Sequence, residues 1–313
     1  MGHRGQAPSS RWQVGDGPRL FREVVRRLGA GVALDDLGLD KVDGRVDLRR
    51  IPGRGLMLAG CHVIGVDFTG AFLADANFAD VHFENCVLAK VELVSAVITG
   101  GSFVDCSFRD GDVRETSIWN ATLRGLDFSV RKSSYLSVAN SVFVDCKFGR
   151  LSRTEFSRSE FVDCRFLEGL SDVRFLGRPT RDDASPCYLR RVEFVSDDLT
   201  WVEFDGYEFE DVVFPSSDRL IVVPTRFAMV AERAGLLSLT RRDDIGKEFR
   251  RFLSSQTVQR PGLSDTAGWA ISKRDLILSH PAGEELAEFA AEMISEAQRQ
   301  LSSEGVLDAS SQP

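Results

Sequence analysis

From Leu58 to Phe148 a large apolar residue returns at every fifth position, a period that belongs to neither a helix nor a flat strand. The series runs Leu58, Val63, Phe68, Leu73, Phe78, Phe83, Leu88, Leu93, Ile98, Phe103, Phe108, Val113, Ile118, Leu123 and Phe128; it lapses at Ser133 and continues through Val138, Phe143 and Phe148. Two residues before these sits a smaller set: Cys61, Val66, Ala71, Ala76, Val81, Cys86, Val91, Ala96, Gly101 and Cys106, with Ala121 and Cys146 later. Only inward-pointing positions of limited size select in this way.

A period of five means a backbone that turns a corner every five residues, so four pentads close one square coil. Within each short segment the large residue and the small one two places earlier share a face. Residues twenty apart then stack on successive coils, about 4.8 Å apart, which predicts vertical rows such as Phe68, Leu88, Phe108, Phe128 and Phe148. The interior is thus expected to be a column filled by its own side chains.

Stretches such as Ala76-Asn77-Phe78-Ala79-Asp80 and Cys106-Ser107-Phe108-Arg109-Asp110 resemble the pentapeptide-repeat family. That resemblance implies a β-solenoid, a right-handed quadrilateral β-helix, here over residues 56–216. The register slips by three between Phe148 and Phe156, loosens around Phe175, and resumes at Leu189, Phe194, Leu199, Phe204, Phe209 and Phe214. Roughly seven coils follow, a rod on the order of 34 Å long.

The flanks follow other rules. Residues 1–17 are polar without an apolar signal core and are expected to be disordered; residues 18–55 are expected to cap the first coil. Leu20, Phe21, Val24, Val25 and Leu28 ahead of Gly29 predict a short amphipathic helix, either covering the exposed strand edge or binding a partner. After Phe214 helical spacing takes over, over Phe227–Leu239, Ile245–Leu253, Ala267–Leu278 and Pro281–Leu301, giving an α-helical region at 217–301. In the last of these, Leu286, Phe289, Met293, Ile294 and Ala297 lie on one stripe, which needs a cover: the rest of the helical cluster, or the same stripe of a second copy in a homodimer. Residues 302–313 are expected to be a disordered tail.

Chemistry-bearing constellations are scarce. All six cysteines occupy the small inward position, where a thiol behaves as a small hydrophobe, and they are expected to be reduced. Of the four histidines only His62 and His82 share a row, too few ligands for a metal centre. No phosphate loop, dinucleotide fingerprint or nucleophile elbow occurs. Neither an enzyme nor a cofactor is therefore expected. With no apolar run long enough to span a bilayer, no membrane contact is expected and the setting is expected to be cytoplasmic.

Charge is uneven. Residues 1–55 carry a net +4, residues 56–216 a net −10 and residues 217–313 a net −2. The last coils are the most acidic, with Glu193, Asp197, Asp198, Glu203, Asp205, Glu208, Glu210 and Asp211 against Arg190 and Arg191. Such a surface disfavours direct contact with nucleic acid and attracts basic partner surfaces, unless the carboxylates are merely solvated outward positions. Arg178 and Arg181, in the irregular stretch before these coils, are further partner-binding candidates, as are Arg174 and the helical Arg241, Arg242, Arg250 and Arg251.

Two partner-binding readings follow, with a helical-domain enzyme as a third that would need a cleft and a perturbed ionisable group. One is a non-enzymatic scaffold that binds a protein partner. The other comes from the resemblance, which implies for some bacterial members a DNA mimic that acts on a type II topoisomerase, DNA gyrase or topoisomerase IV.

Overall fold

The computed structural model describes residues 10–178, 185–257 and 266–307. The chain divides into two compact units between Leu167 and Glu168.

The first unit is a parallel β-solenoid. Strands Met57–Ala59, Asn77–Ala79, Val97–Thr99, Ser117–Trp119, Ser137–Ala139 and Leu151–Ser157 stack in register on one side, and His62–Ile64 through Glu160–Val162 do the same on the next. Shorter pairings make the other two sides: Asp67, Val87, Ser107 and Asp127 on one, Phe72, Glu92, Asp112 and Lys132 on the other. Up to the strands at 137–144 partners are twenty residues apart, and aromatic rings follow the strand spacing: Phe83 and Phe103 stack at 4.8 Å, nearly parallel.

The corners explain the rest of the consensus. From Asp75 to Asn120 every fifth residue has a left-handed backbone, with Asp80, Asn85, Asp105 and Asp110 among them and Gly100 in the series. Asp, Asn and Gly tolerate that conformation best, so much of the solenoid's acidity sits where turn geometry asks for it. Gly101, in the small inward row, is fixed by space as well: its φ is +70°, and a Cβ would lie 2.1 Å from the Val81 carbonyl oxygen.

Breaks in the period have local causes. At the lapse, buried Ser133 is satisfied by the next coil, its Oγ accepting from the Ser152 N–H at 2.9 Å. After Phe148 the coil shortens to eighteen residues, as the pairs Ser137–Glu155 and Lys147–Arg165 show. The seven-residue strand Leu151–Ser157 spans that slip, bent at left-handed Arg153 and burying Leu151, Thr154 and Phe156. Inward cysteines donate to carbonyls, Cys86 Sγ to Val63 and Glu84 at 3.3 Å each.

The N-terminal segment is folded further than its polarity predicts. Trp12 is buried and donates its Nε1–H to the Arg49 carbonyl at 3.0 Å, and Arg11 pairs with buried Asp47 at 3.0 Å. One anchoring tryptophan outweighs the polar residues around it, so the expected disorder of residues 1–17 does not hold for 10–17; residues 1–9 lie outside the described residues. Helix α1 (Gly17–Gly29) buries Val24 and Leu28, and strand Arg45–Asp47 pairs with Val66–Asp67.

The second unit contains two more coils and the helical region. Strand Leu170–Leu176 pairs with Leu199–Asp205 twenty-nine residues later, and Cys187–Arg190 with Tyr207–Glu210 at the regular twenty. The stretch read as irregular is therefore itself part of a coil, nine residues longer than the regular twenty. Among the described residues eight coils result, six in the first unit and two here, against the roughly seven expected. Phe175 stacks on Phe204 at 5.0 Å and Phe194 on Phe214 at 4.8 Å.

Helices α2 (Phe227–Leu237), α3 (Asp244–Thr257), α4 (Lys273–Ser279) and α5 (Gly283–Ser303) pack around one core that includes Phe227, Phe249, Trp269 and Leu286. Residues 267–278, expected to be one helix, begin as strand Trp269–Ser272, antiparallel to Leu220–Val223. The α5 stripe is spent inside this core: Leu286, Phe289, Ile294 and Ala297 are buried and Met293 is partly so. A dimer through that stripe is thereby corrected, because its own unit covers it. The expected disorder of residues 302–313 does not hold for 302–307, since α5 runs to Ser303 and Leu307 is buried in the same core; residues 308–313 lie outside the described residues.

Candidate interaction surface

In the second unit the period-two alternation of each strand turns Phe194 and Phe204 inward and leaves Glu193 and Glu203 half-buried beside them. Asp198, Glu210 and Asp211 are exposed, and Asp197 and Glu208 half-buried. Asp211 is a left-handed corner, φ 54°, so turn geometry alone accounts for an Asp there.

Neighbours engage several of these carboxylates. Arg190 Nε donates to Glu210 at 2.7 Å while its guanidinium lies 3.9 Å over the Tyr188 ring. Asp197 accepts from Ser217 Oγ at 2.8 Å, and Glu208 from Thr266 Oγ1 at 2.6 Å.

Asp205 departs from its expected outward place. It is 6% exposed and accepts from Arg178 Nε at 2.7 Å. Two partner-binding candidates of opposite sign thus neutralise each other. Arg181 lies outside the described residues. Among the helical arginines, Arg250 donates to the Ser238 carbonyl at 2.9 Å, and Arg241 bridges Asp243 and Glu285 over the Phe289 ring. These two fasten helix ends to the core, whereas Arg242 and Arg251 are exposed.

One feature of the unit has no sequence signal. A cleft of about 370 Å³ is lined by Trp201, Glu203, Phe252, Gln256, Trp269 and Asp275, among others. Asp275, on α4, is 3% exposed, and both its oxygens accept from one backbone donor, the Trp201 N–H, at 3.0 Å each. Burial pushes its carboxyl up to about 6, against that hydrogen bond and the charge of Arg274. Nothing in Ser272-Lys273-Arg274-Asp275 marks this in advance, because the cleft is made by the strand–helix packing.

Other chemistry is quiet. All six cysteines are buried and none is in a disulfide. The hydrogen bond shared with Cys86, together with burial, pushes the Cys106 thiol up, and Cys146 does the same to Cys164. Protonated thiols of this kind are poor nucleophiles and poor metal ligands. His62 and His82 stack at 4.7 Å with His82 Nδ1 against Ser102 Oγ, and among the described residues no cluster of three or more metal-ligating side chains occurs. No described helix is long and apolar enough to cross a membrane.

Residues 61–100 match the family model for Pentapeptide repeats in eight copies. Among solved structures, the chain is similar to QnrB1, a plasmid-mediated fluoroquinolone resistance protein, at 17% identity and a TM-score of 0.34, over 57% of this chain and 90% of that one. It is also similar to HetL, a pentapeptide repeat protein involved in heterocyst differentiation regulation from the cyanobacterium Nostoc sp. strain PCC 7120. There the identity is 13% and the TM-score 0.32, over 61% of this chain and 91% of that one. A comparison with curated proteins finds no match.

Proposed function

We propose, from the premise that this chain is a pentapeptide-repeat protein, that it is a non-enzymatic interaction scaffold whose acidic coils and helical region bind a protein partner bearing a basic surface. The observation that carries the reading is the filled interior. Rows of stacked rings and small buried residues occupy the column of the first unit, so its outer surface is what remains for function. That the repeat region holds a net −10 selects a positively charged partner.

The acidic reading rests on the exposed Asp198, Glu210 and Asp211, since Asp205 is buried against Arg178. Reversing these three to Lys is expected to abolish partner binding without changing the circular dichroism spectrum, and raising salt is expected to weaken wild-type binding. Binding that survives both changes would reject the electrostatic account.

The same charge favours a second reading, a DNA mimic that acts on DNA gyrase or topoisomerase IV. A supercoiling assay with and without a quinolone decides between the two. Salt-sensitive inhibition or protection supports the mimic, and no effect leaves the scaffold.

A further inference from the structure

We propose that the cleft between strand Leu199–Asp205 and helix α4 is a receptor for a single arginine side chain of a protein partner, with Asp275 as its anchor and Trp201 as its wall. This rests on the scaffold reading and names the contact by which the second unit recognises its partner.

The cleft volume of about 370 Å³ falls within the range of ligand pockets, roughly 300–1,000 Å³. Its lining includes the buried Asp275 carboxylate, which forms no ion pair among the described residues. Asp275 receives one N–H where an ionised carboxylate can accept about four hydrogen bonds. Charges around it do not supply the missing partner. Arg174, itself in the lining, stands opposite Glu203 in the strand register, Lys273 is taken by Glu288 of α5, and Arg274 acts on Asp275 through its charge without a hydrogen bond to it among the described residues. Asp172, on strand Leu170–Leu176, adds a further carboxylate to the lining. A buried charge left in this condition is costly, and an entering cation removes the cost.

Trp201 supplies the second, independent observation. Its indole is 48% exposed although it is one of the largest apolar side chains in the unit. Its backbone is left-handed, φ 54°, at a corner of the coil, where Trp201 and the equally left-handed Asp172 stack between the paired positions. The coil imposes that conformation, as it does on Tyr135, so the side chain points outward, and the Trp201 N–H donates to the Asp275 carboxylate beside it. The indole therefore lines the cleft half in solvent, with Trp269 and Phe252 as further aromatic lining. Aromatic faces and a carboxylate match a guanidinium, which stacks on one and donates two parallel N–H bonds to the other. An ammonium satisfies only the charge, so arginine is preferred over lysine.

The test uses the full chain and N-acetyl-arginine methylamide as the probe, followed by NMR at the tryptophan indole N–H signals. Trp12 and Trp119, in the other unit, serve as internal references. Saturable shifts confined to Trp201 and Trp269 are expected. The uncharged citrulline analogue is expected to bind about tenfold more weakly or worse, and Asp275→Asn to lose about the same factor, near 1.4 kcal/mol. Should that variant fold poorly, Trp201→Ala, at an exposed side chain, is expected to weaken the probe comparably when followed at Trp269. Lowering pH through 6 is expected to weaken it in the wild type as Asp275 takes a proton. Citrulline binding equal to arginine, or unchanged binding in Asp275→Asn and Trp201→Ala, or no saturable shift, would overturn the proposal. The free amide needs no partner protein, so failure here is separable from failure of the scaffold reading. Reversal of Asp198, Glu210 and Asp211 is expected to leave probe binding intact while removing the partner.

Discussion

Asp112 in the first unit and Asp275 in the second are buried to the same degree, 4% and 3% exposed, yet their surroundings treat them in opposite ways. Burial opposes the charge of Asp112, but hydrogen bonds from Arg114, two at 2.8 Å, and from Lys132 at 3.3 Å outweigh it and hold the carboxyl below the usual carboxylate range. Asp275 meets a single N–H, and burial wins. The contrast separates two uses of a buried carboxylate. In the regular coils the residues that follow and the next coil complete it, so it is part of the scaffold. Among the described residues no side chain hydrogen-bonds to Asp275, which leaves its remaining capacity to a ligand.

The regular column also sets the scale for the largest expected loss. Phe148 is fully buried, stacked on Phe166 at 4.6 Å and packed edge-on against Phe128 and Phe143. Phe148→Asp is expected to unfold the first unit, since a buried unpaired charge costs several kcal/mol, as loss of the strand signal in circular dichroism would show. Gly101→Ala comes next, at about 2 kcal/mol or more by urea denaturation. It adds a left-handed backbone penalty to the contact with the Val81 carbonyl, and a neutral result would mean the corner shifts freely.

The two aspartates sharpen the comparison through pH. A carboxyl held low in the fold contributes stability that is present above its unfolded value and lost as pH falls through the folded one. Asp112→Asn is therefore expected to lower the melting temperature at pH 7, by an effect of about 2 kcal/mol, and to converge with the wild type in acid. A carboxyl pushed up does the reverse: its contribution is complete below the unfolded value and lost as pH rises through about 6. Asp275→Asn is expected to melt above the wild type at pH 8 and to lose that advantage near pH 4. Parallel pH profiles for the two variants would remove the distinction between scaffold and site.

How far the sequence reveals each region follows from the same difference. In the first unit one rule repeats, so Phe83, Phe103 and their rows can be placed from spacing alone, and even the slip after Phe148 is visible as eight residues where ten are due. Trp12 escapes notice because a lone anchor has no period. In the second unit contacts join residues far apart in sequence without repetition. Asp205 finds Arg178 twenty-seven residues back, and Asp275 reaches Trp201 seventy-four residues away. The acidic candidates were legible as composition, whereas which of them are spent and where the cleft lies depend on packing that periodicity does not encode.

The smallest expected effect tests whether corner acidity is charge or turn. Asp110 in the first unit and Asp211 in the second both stand at left-handed corners, φ 60° and 54°. Replacing either by Gly removes the left-handed penalty but adds freedom to the unfolded chain, so the two terms nearly cancel, within about 1 kcal/mol. Asp110→Gly and Asp211→Gly are thus expected to leave urea midpoints almost unchanged, while the corresponding Ala variants lose more, lacking both the freedom of Gly and the local hydrogen bonding of Asp. Partner binding then discriminates what stability does not. If only Asp211→Gly weakens it, the carboxylate at that corner has a second role beyond its turn; if neither does, the corner aspartates are there for geometry, and recognition rests on Asp198, Glu210 and the Asp275 cleft.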